Sequence, residues 1–406
     1  MSDKSTRRSF LGTSTAAVAA MAITSPKTAF GSQANEKIKI GVVGQGGRGR
    51  MIAKMLTQND AYEVTAVADY FPEVAKAGAK AIEIPEDKAF SGLAGYKRMI
   101  DSGIDAIALQ TPPYFFPEHS AAAVDAGVHV YAAKPVAVDV PGTLTVEELG
   151  KKASKNKTVF HVDFQWRYLT YLVDMVKHIK EGKMGDIRFV RAFYNDEGRE
   201  DVQVKENISE LFQKLRWAMS RELGGDRILS GGIHAIDTAL MVIGSHPEKA
   251  MGIVQQSRKN PINTAMDTAA LTYTFPGDVI MSYSGDQFRN YHYEIDMFSG
   301  VKAYADHASM QTFYGKGITQ MRAGDWRDKG GENKGLYTWG ARHNIDLFQK
   351  CINDGDYKNE TVPSSVEANL TCLLGAYAGR IQGEMTWKEL LENDEKVVID
   401  FAGLKQ

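Results

Sequence analysis

The chain has 406 residues, 43% of them apolar, which is more than one hydrophobic core usually serves and makes two domains the expectation. A formal net charge of −2 removes the electrostatic case for binding nucleic acid or an anionic membrane. Two cysteines, Cys351 and Cys372, exclude a disulfide framework and read as buried free thiols within helical patterns.

At the amino end, Ser5-Thr-Arg7-Arg8-Ser-Phe-Leu11 places paired arginines ahead of an apolar stretch, Ala16 to Ile23, that is too short to span a bilayer. The pattern looks like a twin-arginine export signal, with a cleavage site at Ser32-Gln-Ala34 and a periplasmic destination. Residues 1–34 are therefore set apart from the fold. No other run is long and apolar enough to be transmembrane.

The next element is a β-branched strand, Ile38 to Val43, that runs into Gly44-Gln45-Gly46-Gly47-Arg48-Gly49 and then a helical pattern. Strand, glycine turn and helix in that order predict a dinucleotide on the turn. Gly44 permits the tight bend, Gly46 lets the backbone approach the pyrophosphate, and Gly49 lets the helix pack on the strand. A second strand, Val64 to Ala68, ends in Asp69, twenty residues after Gly49, where a carboxylate is expected on the adenosine ribose and favours NAD. Arg48 and Arg50 leave NADP open. Further strands at Ala106 to Leu109, His129 to Tyr131 and Val159 to Val162, with helical patterns between them, complete a doubly wound parallel sheet over residues 35–163.

After Phe164 the texture changes. A helix, Tyr168 to Glu181, precedes a strand, Ile187 to Tyr194, then a polar helical insert and several long alternating strands. Leu271 to Tyr283 reads as a hairpin closed by Pro276-Gly-Asp278, so residues 164–406 are expected to hold a mostly antiparallel sheet. Helical runs at Arg342 to Asn353 and Ser364 to Gln382 follow, and no internal repeat is present.

Gly44-x-Gly46-x-x-Gly49, Asp69, Thr111-Pro-Pro113, Ala133-Lys134-Pro135, Phe164-Gln-Trp-Arg167 and Gly231-Gly-Ile-His234-Ala-Ile-Asp237 stand in one order along the chain. In that order and spacing the chain resembles the glucose-fructose oxidoreductase and inositol dehydrogenase family (Gfo/Idh/MocA) over essentially its whole length after the leader. The resemblance implies an N-terminal Rossmann domain, and a C-terminal α/β domain whose open sheet assembles dimers or tetramers. It also implies NAD(P)-linked redox chemistry on sugars, inositols and related polyols. Thr111 and Pro112 join the nucleotide set on that basis, and Arg167 resembles positions that face the active site.

Oxidising a secondary alcohol needs a base for the hydroxyl proton and a cation for the developing alkoxide, and Lys134 and His234 can divide that work. Lys134 follows a strand of the parallel sheet at its carboxyl edge, also within reach of the nucleotide, and Pro135 restricts the backbone that aims it. His234 opens an apolar helical run behind two glycines that allow close approach of substrate or cofactor. Asp237, at i+3, either orients His234 or forms a structural salt bridge. Trp166, Tyr194 and Trp217 are candidates to stack on a sugar face, though such aromatics also serve as core. His292, Asp306 and His307 lack metal-ligand spacing, and no metal is expected.

Two departures from the family pattern stand out. Ala133 replaces the glutamate of the usual Glu-Lys-Pro. Ser230 replaces the first carboxylate of Asp-x-Gly-x-His, so acid–base work falls to His234 and Lys134, or to a carboxylate such as Asp163 or Asp226. The expected function is an exported sugar or polyol oxidoreductase that keeps and recycles its cofactor. The alternatives are an NAD-dependent glycosidase working through a transient keto sugar, and a non-catalytic sugar-binding protein.

Overall fold

A computed structural model describes residues 37–195, 216–258, 263–286, 299–313, 319–323, 326–329 and 336–406. Residues 1–34, read above as an export signal, the polar insert over residues 196–215 and His292 lie outside the described residues.

The first half alternates strand and helix as the sequence pattern requires: β1 (Ile38–Val43), α1 (Gly47–Thr57), β2 (Tyr62–Asp69), α2 (Pro72–Ala81), β3 (Ala89–Ser91), α3 (Gly95–Asp101), β4 (Ala106–Leu109), α4 (Phe116–Asp125), β5 (His129–Ala133), α5 (Val140–Lys155) and β6 (Phe160–Asp163). All six strands pair in parallel in the order β3-β2-β1-β4-β5-β6, the doubly wound Rossmann arrangement. β3, only three residues long, carries no periodic signal and has no counterpart in the sequence reading. The strands are apolar on both faces because both faces are covered. In β4, Ile107 and Leu109 enter one core, while Ala106 and Ala108 enter the other, with Ile40, Val42, Ile52 and Leu56.

The remainder comprises α6 (Thr170–Lys180), β7 (Ile187–Asn195), α7 (Arg216–Met219), α8 (Arg221–Gly224), α9 (Ile233–Ile243), β8 (Lys249–Gln255), β9 (Thr268–Phe275), β10 (Val279–Asp286), β11 (Ser299–Ala305), β12 (Ala308–Phe313), β13 (Thr319–Ala323), β14 (Trp326–Lys329), α10 (Leu336–Asp354), α11 (Thr361–Ile381), β15 (Glu384–Thr386) and α12 (Trp387–Leu391). Among the described residues nine strands form one sheet in the order β14-β13-β12-β11-β7-β10-β9-β8-β15, antiparallel throughout except for the β7–β10 pair. The β9–β10 hairpin closes through Pro276-Gly277-Asp278, with Gly277 and Asp278 both at positive φ. Met251, Ile253, Ile280 and Tyr304 project from this sheet into solvent.

The last two long helices reach back to the parallel sheet. α10 places Ala341, Ile345 and Phe348 in the same core as Ile40 and Ile52. Close approach of α11 to α5 depends on Gly150, where a Cβ would lie 2.7 Å from Val362. Cys372 on α11 is buried, Cys351 on α10 is half-buried, and both are free thiols. Among the described residues no helix is long and apolar enough to cross a membrane.

Candidate active site

The order β3-β2-β1-β4-β5-β6 sends successive crossovers to opposite sides of β1 and β4, which opens a crevice at their carboxyl ends. Gly44 leaves β1 with φ +88°, and a Cβ there would lie 2.7 Å from the main-chain carbonyl of Gln110. At Gly49 a Cβ would collide with the carbonyl of Gly44, so the helix can start tight against its own turn. Gly46 and Gly47 are different. A Cβ at either meets nothing within 4 Å, and both line a cleft of about 710 Å³. No side chain caps α1 at Gly46, which leaves the first-turn N–H groups and the helix dipole for an anion.

Asp69 is bound into this turn, since Oδ2 accepts the Gln45 N–H at 2.7 Å and Oδ1 accepts the Phe71 N–H at 3.1 Å. Burial raises its carboxyl above the ordinary value, against the pull of those N–H donors. Gln45, Arg50, Thr111, Pro112 and Trp217 line the same cleft. The Gln110 amide and the Thr111 hydroxyl are buried there without hydrogen-bond partners among the described residues. Open space over bare backbone, a carboxylate at the end of β2 and unspent polar groups fit a dinucleotide. His119, also lining the cleft, stacks between Tyr96 and Phe115, and burial lowers its pKa to about 3, which keeps it neutral. Sequence reasoning did not select Gln110 or His119; the one available clue was that Gln110 directly follows β4, opposite Gly44.

At the other end of the crevice the groups are charged side chains. Lys134 directly follows β5, whose last residue, Ala133, pairs with Asp163 of β6. Its Nζ donates to the Ser230 carbonyl at 2.7 Å, and the Lys134–Pro135 peptide is cis. Burial, reinforced by Arg48 and Arg227, brings the Lys134 ammonium down to a pKa of about 7. Arg227 also donates to the Ser230 Oγ at 3.2 Å. Arg48 belongs to the glycine turn but its guanidinium turns to the buried Asp163 carboxylate, which also accepts from Asn344 at 2.8 Å. Of the residues expected at the nucleotide, Arg48, Gly49 and Lys134 are not among those lining the cleft.

His234 lies in the first turn of α9, buried, its ring stacked on Trp166 at 5.0 Å and flanked by Tyr194 and Tyr337. Burial, then the nearby Lys134 and Arg48 charges, hold it well below its ordinary pKa and therefore neutral. Neither ring nitrogen has a partner among the described residues. Of the two roles open to Asp237, the structure shows the salt bridge: Arg167 Nε donates to its carboxylate at 2.9 and 3.1 Å, and another guanidinium nitrogen reaches Ser364 Oγ at 2.6 Å. Burial raises the Asp237 carboxyl, and Arg167 opposes that rise. The space beside Gly231 is taken by Arg227 and Tyr194, and that beside Gly232 by Tyr283, so protein groups make the close approach there.

Trp166 and Tyr194 thus stand beside His234, whereas Trp217 stands at the nucleotide cleft. Of the two carboxylates held in reserve, Asp163 is in the site, while Asp226 is gripped by Arg380 at 2.6 Å through both oxygens. Asp306 is paired with Arg188 at 2.8 Å. Among the described residues no His, Cys, Asp and Glu cluster could hold a metal.

Fold and cleft together define a dinucleotide-binding α/β protein with a lysine and a histidine at the carboxyl edge of its parallel sheet. Residues 38–164 match the "Oxidoreductase family, NAD-binding Rossmann fold" model of Gfo/Idh/MocA, and residues 173–311 match that family's C-terminal domain model. The chain belongs to the Gfo/Idh/MocA family. Inositol 2-dehydrogenase of Corynebacterium glutamicum is 22% identical over 202 residues, covering 48% of this chain and 57% of that protein. The scyllo-inositol 2-dehydrogenase (NADP(+)) of Bacillus subtilis is 24% identical over 313 residues, 71% of this chain and 80% of that one. Among solved structures, aldose-aldose oxidoreductase from Caulobacter crescentus, complexed with glycerol, superposes with a TM-score of 0.70 at 16% identity, over 86% of this chain and 100% of that chain, and shows the shared fold.

Proposed function

We propose that the protein is an NAD(P)-dependent oxidoreductase that oxidises a secondary hydroxyl of a sugar or polyol. The observation that carries this is Lys134, with its pKa near 7, close to a neutral His234 that has no hydrogen-bond partner among the described residues, both of them near Arg48 of the bare-glycine turn. Inositol 2-dehydrogenase and aldose-aldose oxidoreductase among the relatives agree with the substrate class. Gly44, Gln45, Gly46 and Gly47 hold the pyrophosphate, and Thr111 and Pro112 line its path. Asp69 holds the adenosine ribose, which favours NAD, with Arg50 in the cleft keeping NADP in play.

A dinucleotide held by Gly44 to Gly47 and Asp69 would supply the hydride acceptor for the carbinol carbon. The substrate hydroxyl lies between Lys134 and His234, and a group with a pKa near the working pH is the best matched to take its proton, which gives that role to Lys134. His234, kept neutral, orients the hydroxyl by a hydrogen bond at a ring nitrogen. Ser230 does not titrate; its carbonyl aims the lysine instead. Asp163, locked by Arg48 and Asn344, supplies the compensating negative charge.

The twin-arginine pattern in residues 1–34 supports export after folding, to the periplasm, with the dinucleotide already bound. A nucleotide carried out of the cytoplasm must be regenerated in place. A closed cycle, in which a second sugar or the oxidised substrate itself would take the hydride back, meets that need. The exposed apolar face at Met251, Ile253, Ile280 and Tyr304 supports pairing of copies through the nine-stranded sheet. The test is to denature protein recovered from the periplasm, weigh the released nucleotide, and assay a sugar panel without added NAD. Keto or reduced sugars without net NADH support the reading. Sugar release without net NADH makes the protein a glycosidase. Empty protein that consumes free NAD stoichiometrically makes it an ordinary dehydrogenase.

A further inference from the structure

After α12 the chain adds no helix or strand, yet it stays on the surface of the Rossmann half. Val397, Ile399 and Phe401 are half-buried while Lys396, Val398 and Asp400 are exposed, the alternation of an extended segment lying on a surface. Its fastenings are specific. The Val397 N–H donates to Asp139 Oδ2 at 2.7 Å, and the other oxygen of that carboxylate caps α5 through Gly142. The Ile399 N–H points to the Tyr114 hydroxyl at 3.4 Å, and the Phe401 ring stacks on Phe115 at 5.6 Å and meets Tyr114 edge-on at 5.7 Å. The Leu93 N–H donates to the Lys405 carbonyl at 2.9 Å, and Lys405 Nζ donates to Ser91 Oγ at 3.1 Å. The Lys405 N–H points to the Tyr70 hydroxyl at 3.4 Å.

The partners matter because of where they sit. Tyr70, Leu93 and Phe115 come from three separate turns, after β2, after β3 and after β4, and all three line the nucleotide cleft. The turns after β2 and β3 meet directly, the Gly92 N–H donating to the Tyr70 carbonyl at 3.1 Å, and residues 397–406 add contacts that tie both of them to Phe115 after β4. We propose that this segment is a clasp for the nucleotide cleft, with Phe401 as a positioning residue that acts through Phe115 on the adenosine half of a bound dinucleotide.

This rests on the nucleotide-binding reading above. Its physical basis is preorganisation: rim turns held in place cost less to order when a ligand arrives, and a clasp that must lift before the ligand leaves slows release. The adenosine half is the part affected because Tyr70 directly follows Asp69, the ribose carboxylate. A segment held by a few hydrogen bonds and one ring stack, with Val398 77% exposed, can open without unfolding the domain. The clasp thereby sets the residence time of a cofactor the enzyme does not exchange.

The test uses the full chain loaded with NADH, with its release followed by fluorescence on adding excess NAD, and ADP-ribose binding measured alongside. Phe401→Ala, and a chain ended after Asn393, should each release NADH about tenfold faster and bind ADP-ribose about tenfold more weakly, as loss of a preorganising contact acts mainly on dissociation. Phe401→Tyr should restore slow release. Melting measured in parallel separates a clasp from a merely structural tail: a variant that melts lower but releases NADH at the parent rate overturns the proposal. Bound NADH with unchanged release in both variants overturns the clasp alone, whereas a parent chain that binds no NADH overturns the nucleotide reading and the clasp with it.

Discussion

The two ends of the crevice are made of different material. The nucleotide end is backbone: a glycine bend, an uncapped helix start and a carboxylate fastened to the Gln45 N–H. The end proposed to be catalytic is side chain: Lys134, His234, Arg48, Arg227 and Asp163, where burial and then the neighbouring cationic groups lower the pKa of both Lys134 and His234. A site of the first kind fails when a Cβ fills it. A site of the second kind fails when one charge is removed from the set, and the contrast makes the two ends separable by mutation.

The largest expected effect is at the catalytic end. Lys134→Ala should lower kcat roughly a hundredfold or more, since a proton-transfer or charge-stabilising group is lost, while the NAD dissociation constant stays within about threefold. Near-normal turnover in that variant would remove Lys134 from the chemistry. The complementary change is Gly46→Val, which should weaken NAD binding about tenfold or more, measured by calorimetry, because the new side chain occupies the phosphate approach. Its melting temperature should stay near that of the parent, because a Cβ there touches nothing; a large drop would show that the turn is not preformed.

A smaller effect is expected at Asp69. Asp69→Ala should cut the preference for NAD over NADP by roughly tenfold, as the carboxylate that repels a 2′-phosphate is gone. If the parent already binds both nucleotides equally, the role of Asp69 in selection falls.

The smallest effect sharpens the charge argument. The folded pKa of Lys134, about 7, lies below its ordinary 10.5, so between those values the unfolded chain holds more proton and stability rises with pH. The cost of burying the ammonium is full below pH 7 and disappears above 10.5. Lys134→Met should therefore melt a few degrees above the parent at pH 6, with the gap closing towards pH 10. A gap independent of pH would mean that the lysine is not charged and buried at low pH.

How much of this was legible in the chain depends on the range of the interaction. The glycine turn, Asp69 at the end of a strand, Lys134 after another and the Pro-Gly-Asp hairpin are all written within a few residues. β3 was invisible because three residues show no period, and Asp69 followed by Tyr70-Phe71 gave no sign that a later segment would press on that turn. The fate of Arg48 was also hidden. Its place in the glycine loop points to phosphate, but its partner is 115 residues away. Arg167 and Asp237 are separated by 70 residues, and Asp226 and Arg380 by 154.

Sequence by itself determined the alternation of strand and helix, the bend that admits a dinucleotide and the family to which the chain belongs, because backbone conformation and hydrophobic period are local properties. Only the tertiary structure decided which charges neutralise which. It left His234 without a hydrogen-bond partner among the described residues, moved Trp217 to the nucleotide cleft and brought α10 onto the parallel sheet. The physical reason is that a buried charge is stable only with a partner, and its choice of partner is made by whatever distant element the packing of apolar faces brings alongside.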